Sequence, residues 1–372
     1  MNMNYEPETL IFLAFVAANI AHLYFILFYY QPLSRYREKQ LSPKQIAELQ
    51  PLSIIMAAKN ERENLAAYLP IIFDQTYRRF ELIVVNDHSD DDSQALLEKM
   101  AETEPRLRIL NLGEEKAGKK AAIEMGVEQA RYEHLVFIDA DCKPASKEWL
   151  IKVATKLSRY KIVLGHGRFF KRSSFLNLFE RFDALQTAVH YFSFARAGNP
   201  YMGVGRNLAY QKSILKNYKP LFGKRIKSGD DDLVVNQLAN VNSVGLLIDK
   251  KTHTFSDGEV KWTAYFNKKR RQLQAGKYYR FIDQLRLVVL GASRINSWWL
   301  LIVLLHLWYF PVGAVLIFGF VQFMQLMKVK KIAKRLGDED LVPIWLFLEF
   351  FYLHWISLVS LSTLVWKVKK WK

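Results

Sequence analysis

The residues with the clearest capacity for chemistry are Asp139 and Asp141, two carboxylates one residue apart at the end of the apolar run His134-Leu135-Val136-Phe137-Ile138. A run of apolar and β-branched residues that stops at acids reads as a buried strand with its carboxyl end in a cleft. In an open parallel sheet, ligands bind beyond the carboxyl ends of the strands, which puts both acids where a substrate would sit. Carboxylates at i and i+2 can share one hard cation, and Mg2+ or Mn2+ held there would bring in a diphosphate. The competing reading is a pair of solvated aspartates opening a turn before Pro144.

Other stretches place similar chemistry at similar points. Apolar runs at Leu52 to Ala58, Glu81 to Val85 and Leu107 to Leu112 alternate with amphipathic stretches at Asn64 to Gln75, Ser93 to Thr103 and Lys119 to Ala130. This alternation predicts βαβ units and an α/β fold with a mostly parallel sheet. Each strand ends in polar residues: Lys59-Asn60-Glu61, Asn86-Asp87-His88-Ser89, Gly113 to Lys120, and Asp139 to Asp141. The third of these comes close to the phosphate loop G-x-x-x-x-G-K-[ST], but Lys120 stands where the metal-holding hydroxyl belongs, which argues against a P-loop nucleotidase. Lys119 at a helix start can still serve a phosphate. Gly203-Val204-Gly205 lacks the third glycine of a dinucleotide fingerprint.

The chain has 372 residues, of which 51% are hydrophobic and 14% aromatic, and its formal net charge is +17. Such a basic chain could meet nucleic acid, an anionic membrane or phosphorylated substrates, and the apolar blocks favour the membrane. The one cysteine, Cys142, excludes an internal disulfide and a cysteine-rich zinc site. Thr9 to Tyr30 carries no Asp, Glu, Lys or Arg and is followed by Arg35, Arg37 and Lys39, the pattern of a retained anchor whose chain emerges into the cytoplasm. Asn296 to Met327 is apolar and broken by Pro311 and Gly313, which predicts a hairpin, and Leu341 to Trp366 forms a further apolar stretch carrying Glu349 and His354. Basic residues flank that last stretch on both sides, a pattern that a single crossing does not satisfy. Phe169 to Arg196 is amphipathic and aromatic, and we expect it at the bilayer surface.

The set Ser53-Ile54-Ile55-Met56-Ala57-Ala58-Lys59-Asn60-Glu61, then Val84 to Asp90, Gly118-Lys119 with Ala121-Ala122, and Asp139-Ala140-Asp141 occurs in one order over roughly Pro51 to Gly276. This ordered set resembles family 2 glycosyltransferases of the GT-A fold. The resemblance implies a nucleotide site at Ala57, Asn60, Glu61, Asp87, Lys119 and Asp139. Within it Asp87 contacts the nucleobase, Asp139 approaches the ribose or metal, and Asp141 ligates Mg2+ or Mn2+. Ser228-Gly229-Asp230-Asp231-Asp232-Leu233 resembles the family's acidic motif, which carries the base. Matching Asp232-Leu233 to the motif's Asp-Leu makes Asp230 the base, whereas matching Gly229-Asp230 to its Gly-Glu makes it Asp231. The first match is taken and the second kept beside it; Asp232 suits a helix N-terminus. Lys268 to Gln272 falls where membrane synthases of the family carry Gln-x-x-Arg-Trp. Only Arg271 matches, as a candidate for the diphosphate or acceptor, and the aromatic platform is missing.

The expected organisation is an N-terminal membrane anchor (1–40), a cytoplasmic GT-A domain with interfacial amphipathic segments (41–280) and a C-terminal membrane domain (281–372). The expected protein is an integral membrane glycosyltransferase of the cell (inner) membrane. It would move a sugar, with inversion, from a nucleotide-diphosphate sugar, UDP-linked by preference, to a lipid or lipid-linked glycan acceptor, and would not bind nucleic acid. A processive polysaccharide synthase and a non-catalytic nucleotide-sugar-binding subunit are the alternatives.

Overall fold

The structure is a computed structural model, and it describes residues 6–38, 42–215 and 230–365. Helix α1 (Pro7–Phe25) continues through a π turn (Ile26–Tyr30) into α2 (Gln31–Ser34), and α3 (Pro43–Ala47) precedes the first strand. The alternating pattern then appears as β1 (Leu52–Ala58), α4 (Arg62–Phe73), β2 (Phe80–Asn86), α5 (Ser93–Ala101), β3 (Leu107–Asn111), α6 (Lys119–Gln129) and β4 (His134–Phe137). Next come β5 (Lys143–Pro144), α7 (Trp149–Leu157), β6 (Ile162–Leu164), β7 (Gly167–Phe169), α8 (Phe175–Arg196) and β8 (Leu208–Gln211). The chain continues with α9 (Asp230–Leu238), β9 (Val244–Leu246), β10 (Thr254–Ser256) and α10 (Trp262–Leu273), and ends its described part in α11 (Phe281–His306), α12 (Pro311–Leu336) and α13 (Trp345–Val365).

The large sheet has the order β3-β2-β1-β4-β8-β6-β9, and β5-β10-β7 form a second, small one. Strands β3, β2, β1 and β4 are mutually parallel, whereas β8 runs antiparallel to β4 and β6. The chain builds from β1 outward to β3 and then returns to lay β4 on the other side of β1. The strand order therefore reverses between β1 and β4, the place where an open α/β sheet leaves a crevice at its strand ends. Strands β1, β2 and β4 are almost wholly buried, which is why each reads as a continuous apolar run with no alternation.

Helix α8 turns its aromatic stripe into the protein rather than outward as its amphipathic pattern suggests. Leu176, Phe179, Phe182, Leu185 and Val189 are all buried, and only its first residue, Phe175, is a large apolar side chain left open at 51%. The reason is that α8 is covered on several sides. Phe194 lies against Tyr29 of the π turn, with ring centroids 4.4 Å apart, Phe182 packs on Trp345 of α13 at 4.8 Å, and Tyr191 donates to the Gly165 carbonyl at 2.7 Å. An amphipathic stripe records that one face is buried, not what buries it.

Helices α1–α2, α11, α12 and α13 are each long and apolar enough to cross a membrane. The hairpin expected around Pro311 is present, with Pro311 at the start of α12. However, α11 begins well before Asn296, because its charged residues are paired inside the protein. Asp283 accepts from Arg280 and Asn236, and Arg294 donates to Glu349 of α13 at 2.8 Å. Glu349 thus faces protein, as does the His354 ring, which lies against Trp299.

A second ionic cluster joins the C-terminal apolar helices to the sheet domain. Asp338, just beyond α12, accepts from Arg168 at 3.0 Å and from Arg181 at 2.7 Å, and Arg181 also reaches Asp340. Arg181 and Asp338 are nearly inaccessible to solvent, and removing Asp338 takes this carboxylate from Arg168 and leaves Arg181 with Asp340. Asp338→Ala is therefore expected to destabilise the protein by about 3–5 kcal/mol. A fall in thermal midpoint of the detergent-solubilised protein measures it, and an unchanged midpoint would mean that water reaches the cluster.

Candidate active site

The pocket beyond β1 and β4 is lined by Ala57, Ala58, Lys59, Glu61, Asp87, Lys119, Asp139, Ala140 and Asp141. Its walls are loops tied together by side chains. Asn60, held at φ 55°, accepts through Oδ1 from the Asp90 N–H at 2.7 Å, while its own N–H donates to the Ser89 hydroxyl at 3.0 Å. Glu61 receives the Asn64 amide at 2.6 Å and donates its N–H to Ser93. Thus Asn60 joins the β1 and β2 loops from outside the lining, whereas Glu61 belongs to the pocket wall.

Asp87 is buried, and its Oδ2 accepts from the Gly118 N–H at 2.9 Å. Gly118 has φ +100°, a conformation that side chains disfavour, and this turn starts α6 so that Lys119 projects over the strand ends. The Lys119 ammonium meets Asp139 Oδ1 at 2.6 Å. Burial opposes its charge, yet Asp139, Asp231 and Asp141 together raise its pKa, so it is a fixed cation at neutral pH.

Asp139, Asp141 and Cys142 offer ligand atoms within 4.8 Å of one another. The donor chemistry separates them. Burial, helped by Asp141 and Asp139, pushes the Cys142 thiol well up, and its Sγ donates to Asp141 Oδ1 at 3.3 Å. The two carboxylates are hard donors suited to Mg2+ or Mn2+, whereas a thiol suits soft metals. Burial and the Asp139 charge both raise the Asp141 pKa, and Arg206 and Lys119 work against the rise. Glu61 is raised first by burial and then by Asp141 and Asp139.

The downstream acidic motif divides at α9. Asp231 lies close enough to Lys119 to raise its pKa, and a Cβ on Gly205 would come within 1.8 Å of its Oδ2, so the Gly205 loop closes directly on this carboxylate. Asp232 points elsewhere and accepts from the Tyr279 hydroxyl at 3.0 Å. The side chain of Asp230 lies outside the described residues. Arg271 is placed on α10, apart from the pocket lining, where Glu259 is the carboxylate that acts on it. Its neighbours Lys268 and Lys269 pair with Glu180 and Asp183 and fasten α10 to α8.

Sequence reasoning did not single out Arg206 or Tyr68. Arg206 stands in the Gly198 to Tyr210 loop, over the Phe169 ring at 4.4 Å and donating to Ser256 at 3.0 Å, and its charge works on Asp141. Tyr68 on α4 lies near enough to Asp141 and Asp257 to feel both charges. A lone cation beside paired glycines was the available signal for the first; nothing in the sequence marks the second.

Residues 53–219 match the family described as glycosyl transferase family 2. The chain is 29% identical over 116 residues to the poly-beta-1,6-N-acetyl-D-glucosamine synthase of Staphylococcus aureus, a match covering 31% of this chain and 28% of that one. It is 31% identical over 109 residues to the glycosyltransferase AglE of Haloferax volcanii, covering 29% of this chain and 35% of the relative. These matches therefore span about a third of the curated relatives' length or less. The mannosyltransferase PcManGT from Pyrobaculum calidifontis, solved with GDP-Man and Mn2+, shares the fold over 95% of this chain and 98% of its own, with a TM-score of 0.59 at 15% identity. With the reversed strand order and the strand-end acids, these likenesses identify residues 53–219 as a glycosyl transferase family 2 domain built on the GT-A fold.

Proposed function

We propose that this protein is an inverting glycosyltransferase that uses a nucleotide-diphosphate sugar, UDP-linked by preference, and adds one sugar or very few to a membrane-associated, lipid-linked acceptor. The observation that carries the proposal is the gathering of Asp87, Lys119, Asp139 and Asp141 at one strand-end crevice, with Asp231 acting on Lys119 from α9. Asp139 and Asp141 would hold the divalent cation, which supplies charge neutralisation at the donor diphosphate. Asp87 and Glu61 would shape the nucleoside end, and Lys119 would offset phosphate charge. Asp231 would take the proton of the acceptor hydroxyl as its oxygen attacks the anomeric carbon. The bond from that carbon to the diphosphate breaks, and the nucleoside diphosphate leaves with the electron pair. A pure binding subunit has no use for an acid on the acceptor side, which disfavours the non-catalytic reading.

The processive-synthase reading draws on the name of the staphylococcal relative. Against it, the Lys268 to Gln272 segment lacks an aromatic platform and its lysines are committed to ion pairs with α8. A polymer channel also needs several helices enclosing a hydrated chain, whereas lipid glycosylation needs only access from the bilayer. We place the protein in the cell (inner) membrane, with residues 41–280 as a catalytic domain on the cytoplasmic side. Purified protein incubated with nucleotide sugars, Mn2+ and a membrane lipid extract is expected to yield a lipid-extractable product heavier by one or a few sugars in mass spectrometry. A water-soluble ladder of long chains would replace this reading with the synthase.

A further inference from the structure

Helix α13 has 21 residues, about 31 Å of helix, and could cross a bilayer by length alone. Its contacts say otherwise. From first turn to last it lies on the catalytic domain. Trp345 packs on Phe182, and the Tyr352 hydroxyl donates to Asp183 at 2.9 Å. Trp355 stacks on Tyr265 at 5.7 Å and meets the edges of Trp262 and Phe266, and the Ser362 carbonyl accepts from Arg270 at 3.3 Å. The positions touched on α10 advance with those on α13, from Tyr265 to Arg270 as from Trp355 to Ser362, so the two helices run side by side in one direction.

Helix α10 has 12 residues, too few to span the hydrocarbon core, and Lys268 and Lys269 pair with Glu180 and Asp183 of α8, which fastens it to the catalytic domain. A helix tied along α10 stays at its depth. The contacts of α13 with the spanning helix α11 fall within one short stretch, where Arg294, Trp298 and Trp299 meet Glu349, Phe350 and His354. The pattern is that of a crossing rather than of two helices traversing together.

The face turned away from the domain is apolar. Phe347, Phe351, Leu358, Leu361 and Val365 are exposed by 57%, 47%, 63%, 60% and 73%. At 100° per residue they form one stripe, and Val260 and Trp262 beside α10 add exposed apolar surface near it. Basic residues also stand on both sides of α13 in the sequence, Lys328 to Arg335 before it and Lys367 to Lys372 after it. A crossing would send one group over the membrane, whereas a helix lying flat keeps both on one side.

We propose that α13 lies in the plane of the bilayer on the side that carries the catalytic domain. Its Phe347–Val365 stripe is immersed among the acyl chains, and the crossings belong to α1–α2, α11 and α12. The occupant of the exposed stripe is lipid, and the helix holds the domain flat against the surface from which a lipid-linked acceptor arrives.

Single-cysteine labelling tests this directly, because the native Cys142 is fully buried. A membrane-impermeant maleimide is applied to sealed vesicles of both orientations carrying the full chain with Lys99→Cys in the catalytic domain, Glu339→Cys before α13, or Lys369→Cys after it. All three are expected to label from the same face, and labelling of Lys369→Cys from the opposite face overturns the proposal. Fluorophores on Phe347→Cys, Phe351→Cys, Leu358→Cys and Leu361→Cys give the second readout through lipids brominated near the headgroup or near the chain end. An in-plane helix keeps the shallow-to-deep quenching ratio within about twofold across the four positions, whereas a crossing helix spreads them over about 21 Å of depth. A steep gradient, or no quenching because a second copy covers the stripe, overturns it.

Discussion

Asp141→Asn is expected to abolish metal-dependent transfer while making the metal-free protein more resistant to heat. The loss of turnover should reach at least about a thousandfold, or roughly 4 kcal/mol at 1.36 kcal/mol per factor of ten, because a neutral amide cannot hold the cation that neutralises the departing diphosphate. EDTA should do the same to the parent enzyme. The gain in stability follows from the direction of the Asp141 shift. Burial and the neighbouring Asp139 raise its pKa in the folded protein, so its ionised form is disfavoured relative to the unfolded chain. This penalty is present in full above the folded pKa and is relieved as pH falls through it. The metal-free parent should therefore gain heat resistance from this group on acidification, and the asparagine variant should lack that gain. Thermal midpoints in EDTA across a pH series, beside turnover with added Mn2+, measure both effects. Full transfer activity in EDTA would remove the metal from the mechanism.

The strand-end chemistry was legible in the sequence because buried parallel strands are apolar throughout, so Lys59, Asp87 and Asp139 stand out as the residues where each run stops. What surrounds the strands was less legible. Helix α8 carries an aromatic stripe that would suit lipid, and the structure covers it with α12, α13 and the π turn. The apolar stretch beginning at Asn296 is shorter than the helix that carries it, since α11 starts at Phe281. Asp283 and Arg294 look prohibitive singly, and only the fold reveals Asn236, Arg280 and Glu349 as their partners. The same limit applies to Lys268 and Lys269. Nothing near them in sequence marks them as paired, and their partners Glu180 and Asp183 lie far away in sequence, on a helix whose polar residues face inward.

The acidic motif is where sequence matching left two readings, and the geometry around Gly205 makes them separable. We expect Asp231→Asn to lower turnover by about a hundredfold to ten-thousandfold, the range for loss of a general base, with donor binding little changed. On a helix, residues one apart point about 100° from each other, so Asp231 and Asp232 cannot both face the pocket. Asp232 is committed to Tyr279, while Asp231 lies close enough to Lys119 to raise its pKa. With Asp231 as the base, Asp230→Asn should cost far less. Gly205→Ala supplies a test that leaves every carboxylate in place. The added methyl would stand 1.8 Å from Asp231 Oδ2, so the carboxylate must move. A displacement of about 1 Å in a positioned catalytic group can cost on the order of a hundredfold. The alanine variant should therefore reproduce much of the Asp231→Asn loss, with the same affinity for nucleoside diphosphate measured by calorimetry. If Asp230→Asn is instead the crippled variant and Gly205→Ala turns over like the parent, the base is Asp230, and the side of α9 that faces the acceptor has been assigned wrongly.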